Sequence, residues 1–489
     1  MNSGDRLFLG IDVGTGGARA MVLTETGEVA ANASVPFAPE ILAPQQGRHE
    51  QPPQAWWRTV CQATNAAIAE LNKKSGAIVG RLTAVAVDGT SGTLIAVNGA
   101  GEPLWPALMY NDPRSAEEAD VLNDVAGEFC QKLGYRFNAS FALAKIAWLR
   151  NHEPAVFDEA ARFIHQADYV VERLAGEPAA TDYSNALKTG YDLIEDAWPA
   201  WIGQHFGILS RLPCVLAPGT PIGTVSHRAA VETGLPEGIA VVAGATDGTA
   251  AFLASGAKRI GDYNTTLGTT LVFKGISSKI CRHPQGIIYC HKLPGGWWLP
   301  GAASNVGTDW IGAMFPGVDV RAMDAAAAER LPIDVVAYPL IRTGERFPFL
   351  SPDAQGFFVP ESSDTVDRYA SCLQGVAFVE RLSYEILDAA ADASSAGEVY
   401  STGGGSRSDA WMQCRADATG RVIHRPEYGE SAFGTAVLAA VGTHYNSIVE
   451  AVERMVRLER SFAPDRQRAS AYNALFERFR GELRKRGYL

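Results

Sequence analysis

The chain has 489 residues, with 43 Lys+Arg against 54 Asp+Glu, a net charge of −11 and 47% hydrophobic residues. This is long enough for two or three domains with full cores, and the globular composition excludes a disordered chain. The acidic balance excludes a general nucleic-acid binder held by phosphate neutralisation.

The N-terminus reads Met-Asn-Ser-Gly-Asp-Arg, and Asp12 interrupts the apolar run that begins at Leu7. Neither a secretory leader nor a membrane span of ~18 residues fits there, so a cytoplasmic protein with no membrane partner is expected. Cys61, Cys130, Cys214, Cys281, Cys290, Cys372 and Cys414 form an odd, scattered set, which fits reduced thiols.

In chain order, Arg6-Leu-Phe-Leu-Gly-Ile-Asp12-Val-Gly14-Thr15-Gly16-Gly17 followed by Ala18-Arg-Ala-Met-Val-Leu23 predicts a strand, a tight turn and a second strand. Helical stretches follow at 55–71, 115–133, 144–151 and 155–174, with strands at 82–87 and 240–244. Gly261-Asp-Tyr-Asn-Thr-Thr266-Leu-Gly268-Thr269-Thr270 and Leu271-Val-Phe-Lys-Gly-Ile276 then repeat the opening pattern. An internal duplication with a break near 250–260 is expected, its halves facing each other. Cys281-Arg-His283 and Cys290-His291 read as a strand pair, and their spacing matches no common zinc site. A long helix at 365–392, a strand at 399–401 and a small-residue helix at 431–442 complete a mixed α/β chain. Residues 451–489 carry ten Lys+Arg against five Asp+Glu, but Leu475, Phe476, Phe479 and Leu483 recur at helical spacing. The charges therefore belong to the wet face of a closing helix.

Gly14-x-Gly16-Gly17 feeds a strand rather than a helix, unlike a dinucleotide-binding turn, and no P-loop Gly-Lys-Ser/Thr occurs. Consecutive N–H groups in a glycine turn still converge into an anion-binding nest, and adjacent Thr hydroxyls add donors. Asp12 at a strand end suits Mg²⁺, which takes carboxylate oxygen and keeps several waters. Asp247, between a glycine turn and a small-residue helix, suits an N-cap or an ionised base near its reference pKa of ~3.9. In Ser401-Thr402-Gly403-Gly404-Gly405-Ser406, three glycines let a flat ring approach the backbone, and Ser406 either caps the next helix or donates to a ligand.

Together these residues resemble the FGGY family of carbohydrate kinases, of the actin-like ATPase fold. The resemblance covers essentially the whole chain and rests on Gly10-Ile-Asp12-Val-Gly14-Thr15, Ala245-Thr246-Asp247, Leu267-Gly268-Thr269-Thr270 and Gly403-Gly-Gly-Ser-Arg-Ser-Asp-Ala-Trp-Met-Gln-Cys-Arg-Ala-Asp417 with Gly420. It implies two actin-like (ribonuclease H-like) α/β domains with a catalytic cleft between them: a sugar-binding domain at 1–254 and a nucleotide-binding domain at 255–489.

The same resemblance makes Asp247 the base, and Asp12 with Asp247 the magnesium residues. It makes Gly14, Thr15, Gly16, Gly268, Thr269 and Thr270 phosphate contacts, and puts Gly403, Gly404, Gly405 and Ser406 at the adenosine. Sugar contacts fall on the turn Asp88-Gly89-Thr90-Ser91-Gly92-Thr93, on Tyr110, Asn111 and Asp112, and on Asp247. Glycerol kinases resemble one another in an Arg-Glu pair at that turn and xylulokinases in a Met-His pair, whereas this sequence has Ser91-Gly92. The turn, with Met109-Tyr110-Asn111-Asp112, looks most like the D-ribulose kinase branch.

The expected activity is ATP- and Mg²⁺-dependent phosphorylation of a ketopentose, D-ribulose first, at its primary hydroxyl. A xylulokinase or another polyol kinase stays open, as do an actin-fold ATPase without sugar kinase activity and assembly as a homodimer.

Overall fold

The computed structural model describes residues 6–42, 47–75, 79–178, 180–391 and 397–489. The opening pattern folds as strand Leu7–Val13 paired antiparallel with strand Gly17–Thr24, in register from Leu7 opposite Thr24 to Val13 opposite Ala18. Both faces of the first strand are covered, and Leu7, Phe8, Leu9, Ile11 and Val13 are all buried. Gly10 is required there: a Cβ would lie 2.1 Å from the Ala432 carbonyl oxygen of helix Ser431–Ala440.

The chain divides into two compact units, and the first contains residues up to Ala254, His291–Gly295 and Tyr428–Arg457. Its main sheet runs in the order Pro221–Thr224, Ala240–Val242, Leu82–Gly89, Leu7–Val13, Gly17–Thr24, Val29–Pro36. The contacts of Leu82–Gly89 with Leu7–Val13 and of Ala240–Val242 with Leu82–Gly89 are parallel, and the others are antiparallel. Helices Pro53–Ser75 and Gln166–Ala175 bring Trp56, Val60, Ala63, Tyr169 and Val170 into one core with Leu9, Ile11 and Val85.

The second unit contains Ser255–Cys290, Gly296–Glu427 and Leu458–Leu489. Here the strand order of a seven-stranded sheet is Tyr289–Leu293, Trp297–Ser304, Leu271–Gly275, Tyr263–Leu267, Val399–Thr402, Ile423–Pro426, Leu458–Phe462. Its core gathers Phe273, Trp310, Tyr369, Phe378, Trp411, Phe476 and Phe479. The long helix runs Thr365–Ala391, and its expected end at Asp392 lies outside the described residues. Helix Ala469–Lys485 buries Tyr472, Leu475, Phe476, Phe479 and Leu483, so the apolar spacing is that of an amphipathic helix, but it carries only four of the ten cations of residues 451–489: Arg478, Arg480, Arg484 and Lys485.

The structure corrects three local readings. Residues 155–174 are not one helical stretch: helix Pro154–Glu159 ends, strand Arg162–His165 pairs with Leu94–Val97, and helix Gln166–Ala175 follows. Pairing in a sheet overrides local helix propensity for Phe163 and Ile164. Residues 115–133 form two helices, Ala116–Val125 and Gly127–Leu133. Cys281 lies outside any strand; its N–H donates to Cys290 Sγ at 3.2 Å, and the Cys290 thiol donates to the Cys281 carbonyl at 3.3 Å. All seven cysteines are free thiols, and among the described residues no helix is long and apolar enough to cross a membrane.

Candidate active site

Asp12 and Asp88 lie at the ends of neighbouring strands of the first unit, and Asp247 opens the helix that follows strand Ala240–Val242. Asp12 and Asp88 are direct partners on parallel strands, and the next residue, Gly89, bridges to Thr246. A short-range hydrogen-bond chain fixes Asp247 at the start of helix Asp247–Ala254. The Thr246 N–H donates to Ser184 Oγ at 2.8 Å, and the Ser184 hydroxyl donates to buried Asp182 at 2.5 Å. The Gly248 N–H donates to Asp247 Oδ1 at 2.6 Å.

Asp88 is wholly buried. Its Oδ2 is bonded to the Thr435 hydroxyl, while its Oδ1 has no hydrogen-bond partner among the described residues. Burial, then the charges of Asp12 and Asp247, hold the Asp88 carboxyl well above the ordinary range, with Thr435 opposing them. Burial also raises Asp12, against the Asp88 side chain and the Arg19 charge. Crowding of like charges at a low-dielectric strand end favours a proton on the most buried member.

The turn after Asp12 is pinned from outside. The Gly14 N–H donates to the Gly17 carbonyl at 3.0 Å, and Gln51 Nε2 donates to the Thr15 carbonyl at 3.0 Å. Thr15 and Gly16 are exposed.

In the Asp88–Thr93 turn, Thr90 is buried and faces inward. Its N–H and hydroxyl both donate to Gln166 Oε1, at 2.8 and 2.7 Å, and its oxygen lies 2.6 Å from Thr93 Oγ1. Ser91 Oγ is buried and has no hydrogen-bond partner among the described residues. Gly92 has φ +84°, and a Cβ there would strike the Ser140 carbonyl oxygen at 2.1 Å, which explains the glycine. Tyr110 and Asn111 are exposed. Asp112 is buried and occupied by the His49 N–H at 2.7 Å and by Arg114 Nε at 2.8 Å. Burial opposes its ionisation, but Arg114 and the His49 N–H outweigh burial and hold the carboxyl below the usual range.

In the second unit, Gly268 and Thr269 turn between strands Tyr263–Leu267 and Leu271–Gly275, with Thr269 exposed and Thr270 half-buried. The Thr308 N–H donates to the Gly268 carbonyl at 2.8 Å, and a Cβ on Gly307 would lie 2.2 Å from the Thr269 carbonyl oxygen. Gly403 (φ +88°) and Gly405 press on Leu267, with added Cβ atoms 2.6 Å from its carbonyl oxygen and 2.5 Å from its Cγ. The two glycine bursts are therefore one surface, and Gly404 stands open beside it. Ser406 does not cap the following helix. Its hydroxyl donates to the Gly403 carbonyl at 2.6 Å, and Ser408 caps Asp409–Thr419 by accepting the Trp411 N–H.

Sequence reasoning passed over several neighbours. Asp88 entered only as the first residue of the sugar-side turn, although an acid at the end of an apolar strand, as at Asp12, also marked it. Thr435 and Gln166 had none, because each reaches its partner only through tertiary packing. Lys188 is largely buried with its Nζ 4.4 Å from the Phe141 ring centre; burial lowers it to about 8, against the Asp247 charge. Gly307 and Thr308 lie outside every glycine burst that drew attention.

Among the described residues no group of three His, Cys, Asp or Glu side chains converges as a metal cage. That suits Mg²⁺, which takes one or two carboxylates and fills its shell with water and phosphate. Half-buried Asp12, beside the partnerless Asp88 oxygen, fits that role.

Two mixed sheets, the first with carboxylates at its strand ends and the second with neutral hydroxyls, define a two-domain α/β fold. Residues 7–254 match the N-terminal domain of the FGGY family of carbohydrate kinases, and residues 264–443 match its C-terminal domain. The chain belongs to that family and is a carbohydrate kinase, which decides against an actin-fold ATPase without sugar kinase activity. It is 27% identical over 489 residues to a xylulose kinase of Escherichia coli, covering 97% of this chain and 98% of the relative. It is 32% identical over 461 residues to a xylulose kinase of Streptomyces coelicolor, covering 89% and 87%. The crystal structure of xylulose kinase from Rhodospirillum rubrum matches with a TM-score of 0.85 and 27% identity, over 98% of this chain and 99% of that one.

Proposed function

We propose that the chain is an ATP- and Mg²⁺-dependent ketopentose kinase of the cytoplasm that phosphorylates a primary hydroxyl, with D-ribulose as its substrate. The observation that carries this reading is Asp247 at the start of its helix, next to Thr246, which bridges to the strand end of Asp88 and Gly89 beside Asp12, in the same unit as the Ser91 hydroxyl, which has no partner among the described residues. Asp247 accepts the hydroxyl proton as the sugar oxygen attacks the γ-phosphorus. The bond from that phosphorus to the leaving oxygen of ADP breaks, giving sugar phosphate and ADP. Asp12 and Asp247 would hold Mg²⁺, which would supply charge neutralisation on the phosphates. Thr15 and Thr269, in the turns 14–16 and 268–270, donate to phosphate oxygens. Gly403, Gly404 and Gly405 border the adenosine, with Ser406 holding their turn through Gly403.

Ser91, Tyr110 and Asn111 contact the sugar, while Thr90 and Asp112 fix the segments that carry them. D-Ribulose is favoured by Ser91-Gly92, where the small hydroxyl bonds one sugar hydroxyl and glycine leaves room for the chain. D-Xylulose is the second reading, favoured by the naming of the similar proteins above as xylulose kinases.

A general base contributes on the order of 10²–10⁴-fold. Asp247→Asn should therefore lose nearly all sugar-dependent ADP release while still binding ATP, and unchanged ADP release in that variant would sink the assignment. Coupled assays with D-ribulose, D-xylulose, L-ribulose, ribitol and glycerol rank the substrates, and absence of a D-ribulose signal removes the first choice.

A further inference from the structure

Two segments of the first unit carry the sugar contacts of the reading above, the turn 88–93 and the segment 109–112, and a chain of hydrogen bonds ties both to one buried amide. The Tyr110 N–H donates to Thr93 Oγ1 at 3.2 Å, Thr93 Oγ1 lies 2.6 Å from Thr90 Oγ1, and the Thr90 hydroxyl donates to Gln166 Oε1 at 2.7 Å. The Thr90 N–H donates to the same Gln166 oxygen at 2.8 Å. Thr90, Thr93 and Gln166 are all buried.

The ends of this chain fix its direction. A backbone N–H only donates and an amide oxygen only accepts, so each hydroxyl between them turns its one proton toward Gln166: Thr93 donates to Thr90, and Thr90 to Gln166. The amide cannot turn over, because Nε2 would then face the Thr90 N–H. Nε2 accordingly has no hydrogen-bond partner among the described residues. Leaving a buried donor unpaired is costly, and here the cost falls on the amide whose oxygen ends the chain.

Gln166 is also held from its own side. It opens helix Gln166–Ala175, where the Asp168 carboxylate accepts the His165 N–H at 2.9 Å and lies 2.8 Å from His165 Nδ1. The other ring nitrogen of His165 is 2.9 Å from Thr189 Oγ1. The helix sits directly on the turn: a Cβ at Gly89 would lie 3.1 Å from the Ala167 nitrogen and 3.3 Å from Gln166 Cβ. Every member of the chain is neutral, so it shapes this side of the unit without adding to the charges of Asp12, Asp88 and Asp247.

We propose that Gln166 is a positioning residue for sugar recognition: the hydrogen-bond chain it ends holds the Ser91 and Tyr110 segments at one separation, and that separation sets which sugar is accepted. The proposal rests on the reading of Ser91 and Tyr110 as sugar contacts given above. Thr93→Val keeps the shape of the side chain and breaks the chain, Thr93→Ser keeps the hydroxyl, and Gln166→Met keeps the length of the side chain and removes the final acceptor.

Steady-state kinetics of the full-length protein with D-ribulose and with D-xylulose test it, at saturating ATP and Mg²⁺ for the sugars and at saturating sugar for ATP. Gln166→Met and Thr93→Val are expected to raise the KM of the better sugar about tenfold and to narrow the kcat/KM ratio between the two sugars, with the KM for ATP within about twofold of wild type. Thr93→Ser should recover most of the loss, which packing alone would not give, since serine fills the site less well than valine. Ser91→Ala and Tyr110→Ala separate the two claims. If both leave kcat/KM for either sugar unchanged, the sugar-side reading falls. If they raise the sugar KM while Thr93→Val and Gln166→Met do not, the positioning role falls and the sugar-side reading stands. Equal rises in the KM of sugar and of ATP, or Thr93→Ser as impaired as Thr93→Val, also overturn the positioning role. Should Gln166→Met fail to fold, Thr93→Val and Thr93→Ser decide alone.

Discussion

The two sheets share one run of strands and differ in the chemistry at its ends. In the first sheet, and in the second from Trp297–Ser304 onward, three antiparallel strands are followed by two parallel contacts and a final antiparallel one. In each, the residue before last on the central strand is partnered in register by the residue just before a glycine on the neighbouring strand. In the first unit that pair is Asp12 and Asp88; in the second it is Thr266 and Thr402, whose hydroxyl oxygens lie 3.0 Å apart. The same backbone therefore offers acids in one unit and neutral donors in the other. A carboxylate suits a cation or a proton and repels phosphate, whereas a hydroxyl adds a donor without charge. The shared run of strands is alike in backbone and unlike in the charge it carries at its ends.

The buried cations of the units also differ. Arg415 is fully buried and forks onto Glu380, Nε to Oε2 at 2.6 Å and Nη2 to Oε1 at 2.7 Å, with Ser401 Oγ also accepting at 2.6 Å. Lys145 is equally buried and donates to the Ala139 carbonyl at 2.5 Å. Burial lowers it to about 7, against the pull of Asp112.

These contrasts break in four places. Asp12→Thr gives the first sheet the end of the second; kcat should fall on the order of 10³-fold in steady-state assays, with circular dichroism unchanged. Arg415→Met leaves Glu380 charged and unpaired, and urea denaturation should record a loss of ~3–5 kcal/mol.

Lys145→Met should behave oppositely and depend on pH. The folded state disfavours the Lys145 cation, so that cost is fully present below about 7 and fades as the pH rises toward the ordinary lysine value of 10.5. Wild-type stability should therefore gain on Lys145→Met between pH 7 and 10, by a few kcal/mol at the ~1.36 kcal/mol carried by each pKa unit. A flat difference across that range would contradict the buried cation. The smallest effect is expected of Thr402→Asp, which carries the acid into the second sheet: the KM for ATP should rise about tenfold (~1.4 kcal/mol) with the KM for sugar unmoved.

Much of this arrangement was legible along the chain, because it depends on local rules. Strand formers flanking glycine turns marked Leu7–Val13 and Tyr263–Leu267 as strands, and glycine bursts marked the turns at 14–16, 268–270 and 403–405, in the last of which a side chain at Gly403 or Gly405 would collide and Gly403 takes a positive φ. An acid just past an apolar strand marked Asp12 and Asp247. Strand Arg162–His165 escaped notice because its pairing partner, Leu94–Val97, lies far off in sequence, and sheet propensity is a property of neighbours rather than of the strand itself.

By itself, then, the amino-acid sequence determined the duplicated strand–turn–strand frames, the family motifs and the chemical types at the strand ends, all of which are set by residues a few positions apart. Only the tertiary structure decided that Asp88 stands beside Asp12, that Thr90 and Asp112 face inward while Ser91 keeps a hydroxyl without a partner, and that Thr435 anchors Asp88. Hydrogen bonding and desolvation act over a few ångströms of space, and residues separated by hundreds of positions reach that distance only once the chain has packed.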